Sequence, residues 1–289
     1  MTFSAVVVIH DSARHLAALL ASVERHLDPP PQVVVVDSGS RDDGAAVARA
    51  HGAHTIVLDG NPGFGAASNA GLEHAAHDVT VLLNPDCELV DGSLGALAAR
   101  ARWAGALLVP RLLERDGAVQ RSAHPLPGGA GALLPAVWPP RAMPRALREH
   151  FDPWRAAAPR RVGWAIAACV AARTDLLRRL GPFDPAAFLF YEDLELCLRA
   201  RAAGVPTELR PEARLVHDGG HATGPALADR ALDLQARRRR EVVGTHLGAR
   251  ALALDDAAQA LTFAVRAATG RRRTRNVAEL RSLRRARRG

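Results

Sequence analysis

The chain has 289 residues, 48% apolar and 24% charged, a balance that excludes wholesale disorder and supplies enough mass for a full core. A net charge of +8 would suit nucleic acid or an anionic membrane, yet ten arginines between Arg266 and Arg288 face the single acid Glu279, so the positive charge belongs to that segment. No run reaches the ~18 apolar residues that cross a bilayer, no basic stretch precedes the first apolar run as in a signal peptide, and Cys87, Cys169 and Cys197 are too scattered for a disulfide framework or a zinc knuckle, so a cytoplasmic chain with reduced thiols is expected.

Apolar runs at 5–9, 33–36, 55–58 and 79–83 predict buried strands, and apolar residues at helical spacing in 16–26, 44–50 and 66–75 predict helices between them. This alternation demands right-handed crossovers and a mostly parallel sheet, with ligands beyond the carboxyl ends of the strands. The residues at those ends are His10 and Asp11, Asp37, Asn61, and Asn84 to Glu88. Residues 123–161 are dense in proline and glycine and predict a long irregular loop with one short helix. Beyond it, 162–172 reads as a buried segment, Tyr191 to Glu195 opens a helix running to Ala203, 207–210 reads as a strand, and a histidine-containing turn follows. Within 277–288, Val277, Leu280 and Leu283 fall three apart among arginines, which predicts a short helix with one apolar edge that can lie on an anionic leaflet. A solvated, frayed end is the plainer alternative. No aromatics interleave these arginines and no nucleic-acid-binding pattern is present, so nucleic acid is not an expected partner.

Five constellations can carry chemistry. Four consecutive valines deliver Asp37 to a strand end, where its carboxylate can accept from a base imide or a ribose hydroxyl; Ser40 and Asp42 beside it also suit a helix cap. The stretch Asn61 to Asn69 sets two glycines ahead of a helix, allowing close backbone approach to a ligand, although Ser68 stands where a GxGxxG loop has its third glycine. Asp86 and Glu88 flank one residue, and on extended chain both would point the same way and address one Mg2+ or Mn2+; two surface acids after a turn proline is the bland reading. Glu192, Asp193 and Glu195 lie on one first helical turn, where the dipole alone favours acids, yet the aromatic run before them suits a tuned general base. His217 and His221 are either ordinary surface histidines or nitrogen ligands to a site otherwise made of carboxylates.

In this order and at these spacings, VVVVDSGSRDDG, NPGFGAASN, LLNPDCEL, FDPAAFLFYEDLELCLRARAAG and VHDGGHATG resemble family 2 glycosyltransferases with the α/β nucleotide-diphospho-sugar transferase fold called GT-A, over roughly residues 3–224. The LLNPD form, the VGW at 162–164 and the paired histidines look most like actinobacterial cell-wall rhamnosyltransferases, which move L-rhamnose from dTDP-rhamnose to N-acetylglucosamine on a polyprenyl diphosphate. The resemblance implies a catalytic domain over 1–224, with a nucleotide-sugar half at about 1–110 and an acceptor half at about 111–224, and a helical, Arg-rich, membrane-proximal segment over 225–289.

It makes Asp37 the base or ribose contact with His10 and Asp11 beside it, and places Gly65, Asn69 and Asn84 in the nucleotide-sugar subsite. Asp86 becomes the metal and diphosphate residue with Glu88 in the second acidic place, Asp193 the general base with Glu192 its neighbour, and His217 and His221 further metal or diphosphate ligands. The implied chemistry is an inverting, Mg2+- or Mn2+-assisted transfer onto a lipid-linked or polysaccharide acceptor in cell-wall synthesis, by an enzyme held peripherally at the inner face of the plasma membrane. Two departures stand out: His10 and Asp11 replace the family's usual tyrosine and asparagine, and Ala167 and Ala168 replace glycine or serine on the acceptor side. The rival readings are a same-fold transferase for UDP-galactofuranose or UDP-glucose, and a noncatalytic nucleotide-sugar or nucleic-acid binding protein.

Overall fold

The computed structural model describes residues 2–181, 183–185, 189–219, 225–270 and 272–288, in two compact units: Met1–Ala123 with Trp154–Ala222, and His124–Pro153 with Thr223–Gly289. In chain order the elements are β1 (Ser4–Ile9), α1 (Ala13–His26), β2 (Gln32–Asp37), α2 (Gly44–Ala50), β3 (His54–Val57), α3 (Phe64–Glu73), β4 (Val79–Leu83) and β5 (Cys87–Leu89). Then come α4 (Ser93–Ala101), β6 (Leu107–Leu113), β7 (Ala123–His124), α5 (Leu134–Val137), α6 (Arg145–Phe151), β8 (Arg160–Val162), β9 (Trp164–Ala165) and β10 (Cys169–Arg173). The chain continues with α7 (Thr174–Leu180), α8 (Glu192–Ala202), β11 (Thr207–His217), α9 (Pro225–Ala268) and α10 (Arg273–Ala286).

The first unit is a mixed sheet of nine strands in the order β3-β2-β1-β4-β10-β6-β11-β5, with β8 also paired to β11. Six strands run one way, and β5, β8 and β10 run against them. The parallel register sets Ile9 opposite Asp37 and Asp37 opposite Val57, so these strands end level and their following loops share one edge. β-branched valines fill β1 and β2 because both faces of this sheet are covered by helices. Helix α1 presents Leu16, Leu19, Leu20 and Val23 on one face, all buried, each contributing about 1.5–3 kcal/mol relative to exposure.

Three differences from the sequence reading have physical causes. Helix α1 starts earlier than its apolar spacing indicates, because the Asp42 carboxylate, from the next loop, accepts the Ala13 N–H at 2.7 Å. Strand β11 continues past Pro211 to His217, since the proline falls in an irregularity where the register with β6 slips between Arg210 and Arg214. The proline-rich stretch holds α5 and α6 plus helical turns at Ala130–Leu133, Pro140–Ala142 and Pro153–Arg155, because proline is tolerated in a first helical turn, where the N–H it lacks would have no partner anyway.

The second unit is helical and carries 19 arginines against eight acids, a net +11, whereas the first unit is net −3. α9 breaks at Gly248, whose φ of 82° is a left-handed conformation that a side chain rarely adopts. Across the break, Arg239 pairs with Asp255 and Arg240 with Asp256, so the helix folds back on itself. α10 packs on α9 with Leu283 buried and Val277 and Leu280 half-buried. Its apolar edge is therefore turned into the unit, not outward, and Arg285 pairs with Asp233 at 2.6 Å. Among the described residues, no helix is long and apolar enough to cross a membrane.

Candidate active site

The turn after β4 is tied down twice: the Asn84 N–H donates to the Ala168 carbonyl at 2.8 Å, and the Cys87 N–H returns to the Asn84 carbonyl at 3.2 Å. β5 then pairs antiparallel with β11, setting His217 opposite Cys87, and the Asp218 N–H donates to the Asp86 carbonyl at 3.0 Å. These contacts bring His217 Nε2 to 3.4 Å from Asp86 Oδ1, with both side chains almost fully buried. Among the described residues, Asp86, Cys87 and His217 form the cluster whose ligand atoms lie within 4.8 Å of one another. Burial pushes the Cys87 thiol well above its ordinary value, with Cys169 and Asp86 adding to the rise, so it stays protonated and donates toward the Ala168 carbonyl. What remains is one carboxylate oxygen and one imidazole nitrogen, a mixed oxygen and nitrogen donor set without thiolate that a divalent ion such as Mn2+ or Mg2+ can use.

Glu88 is not part of this group. Asp86 sits in a turn and Glu88 on a strand, so the two-residue alternation of extended chain does not align them. Arg115 takes Glu88 instead, at 2.9 Å, while its Nε donates to Asp218 at 2.7 Å. His15 lies 3.9 Å from the other oxygen of Asp218.

At the ends of β1 and β2, buried Asp37 accepts the Ser40 N–H at 2.8 Å, a bond that shapes the turn and engages only Oδ1. His10 Nδ1 is 2.8 Å from the Ser38 carbonyl, and exposed Asp11, at a φ of 49°, accepts the Arg41 N–H at 2.7 Å. Ser38 donates to Asn61 at 3.0 Å, joining the next strand-end loop to this one. Asp42 ties α1 to α2, its two oxygens accepting from Ala13 and Gly44. On α3, Asn69 clamps the Phe183 backbone from both sides, donating to its carbonyl at 2.8 Å and accepting its N–H at 3.2 Å. Gly65 faces the same segment, and a Cβ there would lie 2.9 Å from Phe183 Cβ. Both residues meet protein at this point.

Helix α8 opens after Phe190 and Tyr191, which adopt φ values of 71° and 60°, a strained left-handed pair that aims the first turn. Desolvation by burial, then the charge of Glu192, push the Asp193 carboxyl up to about 8, against the pull of backbone N–H groups at Leu194 and Ala167. Of the other first-turn acids, Glu195 is held by Arg199, whose guanidinium also bonds the Leu180 and Gly181 carbonyls at the end of α7. Residues 167 and 168 connect the two acidic centres: the Ala167 N–H faces Asp193, and the Ala168 carbonyl accepts from Asn84 and Cys87. His221 and residues 186–188 lie outside the described residues.

Sequence reasoning passed over Gln120 and Arg115, which carry no local signal because each acts on a residue distant in sequence, and it marked Ala167 and Ala168 only as departures on the acceptor side. Two cavities of about 460 and 570 Å3 are both lined by exposed Trp103 and contain none of the predicted site residues.

Residues 4–163 match the family profile described as Glycosyl transferase family 2. The chain is 32% identical over 240 residues to the N-acetylglucosaminyl-diphospho-decaprenol L-rhamnosyltransferase of Mycobacterium tuberculosis, covering 76% of each chain. Its fold is shared with a mannosyltransferase from Pyrobaculum calidifontis in complex with GDP-Man and Mn2+, at a TM-score of 0.59 and 15% identity over 92% of this chain and 74% of that one. It is also shared with the glucosyl-3-phosphoglycerate synthase of Mycobacterium tuberculosis in complex with Mg2+ and UDP, at a TM-score of 0.53 and 18% identity over 84% of this chain and 78% of that one. A mostly parallel sheet with its polar loops gathered at one edge, a matching family profile and a relative aligned over three-quarters of both chains agree: the chain belongs to the family 2 glycosyltransferases and has the GT-A fold.

Proposed function

We propose that this glycosyltransferase moves L-rhamnose from dTDP-rhamnose onto N-acetylglucosamine carried by a polyprenyl diphosphate, with inversion at the anomeric carbon. The observation that carries the reading is the buried Asp86–His217 pair at the sheet edge, linked through 167–168 to an Asp193 carboxyl of raised basicity. The named mycobacterial relative supports the choice of sugar and acceptor.

In this reading Asp86 and His217 would hold Mg2+ or Mn2+, while Glu88 is kept in its ion pair with Arg115. When bound, such an ion would supply positive charge to a leaving diphosphate. Asp37, His10 and Asp11 receive the nucleoside and Asn84 lines the way to the diphosphate, whereas Gly65 and Asn69 hold the Phe183 segment. Asp193 removes the proton from the acceptor hydroxyl as it attacks, and Glu192 keeps Asp193 basic enough to do so. The catalytic part within 1–224 is the first compact unit, Met1–Ala123 with Trp154–Ala222, divided near 110 between donor and acceptor, and the basic residues within 225–289 rest on an anionic membrane at the inner face of the plasma membrane. That attraction is electrostatic, since the apolar edge of α10 is turned inward.

The test offers the enzyme a polyprenyl-diphosphate N-acetylglucosamine acceptor with dTDP-rhamnose, UDP-galactofuranose, UDP-glucose and GDP-mannose in parallel, and weighs the glycolipid. Product from dTDP-rhamnose alone is expected. Product from another donor alone would overturn the rhamnosyl assignment while keeping the mechanism.

A further inference from the structure

Gln120 stands on the return limb of a short hairpin that leaves β6, where Leu113 bridges Val119 and the Gln120 N–H donates to the Leu112 carbonyl at 2.9 Å. Both ends of its amide meet His217: Oε1 lies 2.8 Å from the ring Nδ1, and Nε2 lies 3.5 Å from the main-chain carbonyl. The amide nitrogen can only donate, so the carbonyl fixes which end of the amide is nitrogen. The amide oxygen can only accept, so Nδ1 carries the hydrogen. With the hydrogen on Nδ1 held by Gln120, Nε2 is the ring nitrogen that faces the Asp86 carboxylate, 3.4 Å away. A carboxylate oxygen and an imidazole nitrogen at this separation can both serve as ligands to one divalent cation.

We propose that Gln120 is a positioning residue: it holds His217 in the Nδ1–H tautomer and thereby sets the affinity of the Asp86–His217 pair for Mg2+ or Mn2+. The proposal rests on reading Asp86 and His217 as cation ligands. Partners that fix the far nitrogen of a ligating imidazole typically change metal affinity by about 10- to 100-fold. The same hairpin carries Arg115, which holds Glu88 and Asp218 in ion pairs and so keeps their charge off the cation. One hairpin therefore orients the nitrogen ligand and neutralises the surrounding acids.

The experiment titrates full-length protein with Mn2+ at a fixed concentration of dTDP and reads free Mn2+ by electron paramagnetic resonance, with Asp86→Asn as the baseline. Gln120→Leu removes the acceptor and is expected to weaken Mn2+ binding about 10- to 100-fold. Gln120→Glu keeps an acceptor at the same place and is expected to bind at least as tightly as wild type, a rescue that a packing role would not give. Wild-type affinity in Gln120→Leu would overturn the role of Gln120 and leave the cation site standing, as would loss in both variants at unchanged melting temperature. Wild-type binding no stronger than the Asp86→Asn baseline would instead bring down the cation reading, and the proposal with it.

Discussion

His217 Nε2 and Asp86 Oδ1 lie 3.4 Å apart, although one closes the longest strand of the sheet and the other lies in the turn before β5. The pair exists because β5 and β11 are antiparallel neighbours, with the Asp218 N–H donating to the Asp86 carbonyl. Asp86→Asn removes the charge at nearly constant shape and is expected to lower kcat at least about 100-fold, with nucleotide affinity reduced in Mn2+ and little changed in EDTA. Metal chelation should abolish transfer, and added Mn2+ or Mg2+ should restore it. A variant whose rate and nucleotide affinity match wild type in Mn2+ would exclude Asp86 from the metal site.

The Asp193 environment predicts a pH dependence with a definite sign. As the proposed base, an Asp193 carboxyl held up to about 8 is protonated and idle below that pH, so kcat/KM should rise with pH through this range. Glu192→Gln removes the second cause of the rise, so the acidic limb should move to lower pH. Stability runs the other way: the folded state keeps a proton that the unfolded chain releases near ~4, so the contribution is full below that pH and is lost as pH climbs through the folded value. Rate profiles and urea midpoints between pH 5 and 9 read both, and an acidic limb unmoved in Glu192→Gln would remove the charge coupling.

Much of this site was legible in the sequence, for reasons that can be traced to particular residues. Four valines ending in Asp37, and an apolar run ending in Asn84-Pro85-Asp86, mark strand ends because parallel strands buried on both faces must be continuously apolar and must stop at polar loops. The acids of α8 were visible because they break an apolar and aromatic run at a helix start. Long-range partners were not visible. Gln120 resembles any hairpin glutamine until β6 and β11 align, and Glu88 looked like a second ligand until Arg115 arrived from the same hairpin. The start of α1 was missed because its cap is Asp42, far along the chain.

The Asn69–Phe183 clamp makes a stability prediction. Asn69→Ala leaves the Phe183 backbone N–H and carbonyl without their partner, at a cost of about 1–3 kcal/mol. Gly65→Ala drives a methyl against Phe183 Cβ and should cost a similar ~1–3 kcal/mol through displacement of the same segment. Chemical denaturation measures each, and near-zero cost in both would mean that the 183 segment is held by other contacts.

In the helical unit, Arg239 binds buried Asp255 through two hydrogen bonds of 2.8 and 2.7 Å. Arg239→Ala strands that carboxylate, with Gln259 as its remaining donor, and should cost ~3 kcal/mol, seen as faster amide exchange on both sides of Gly248. Membrane attachment needs different variants. Exchanging exposed Arg281, Arg284 and Arg288 for serine should weaken binding to anionic vesicles while leaving turnover on a soluble acceptor analogue intact, at roughly 1 kcal/mol per arginine. Unchanged vesicle binding would discard the tail as the attachment surface.

The most direct test of the account compares wild type with Asp193→Asn, each given Mn2+, dTDP-rhamnose and a polyprenyl-diphosphate N-acetylglucosamine acceptor, with glycolipid followed by mass. The account predicts rhamnosylated product from wild type, a rate lower by about 10²- to 10⁴-fold in the variant, and dTDP binding that differs little between them. Product formed at the wild-type rate by Asp193→Asn would contradict it, because the acceptor proton would then be leaving by another route.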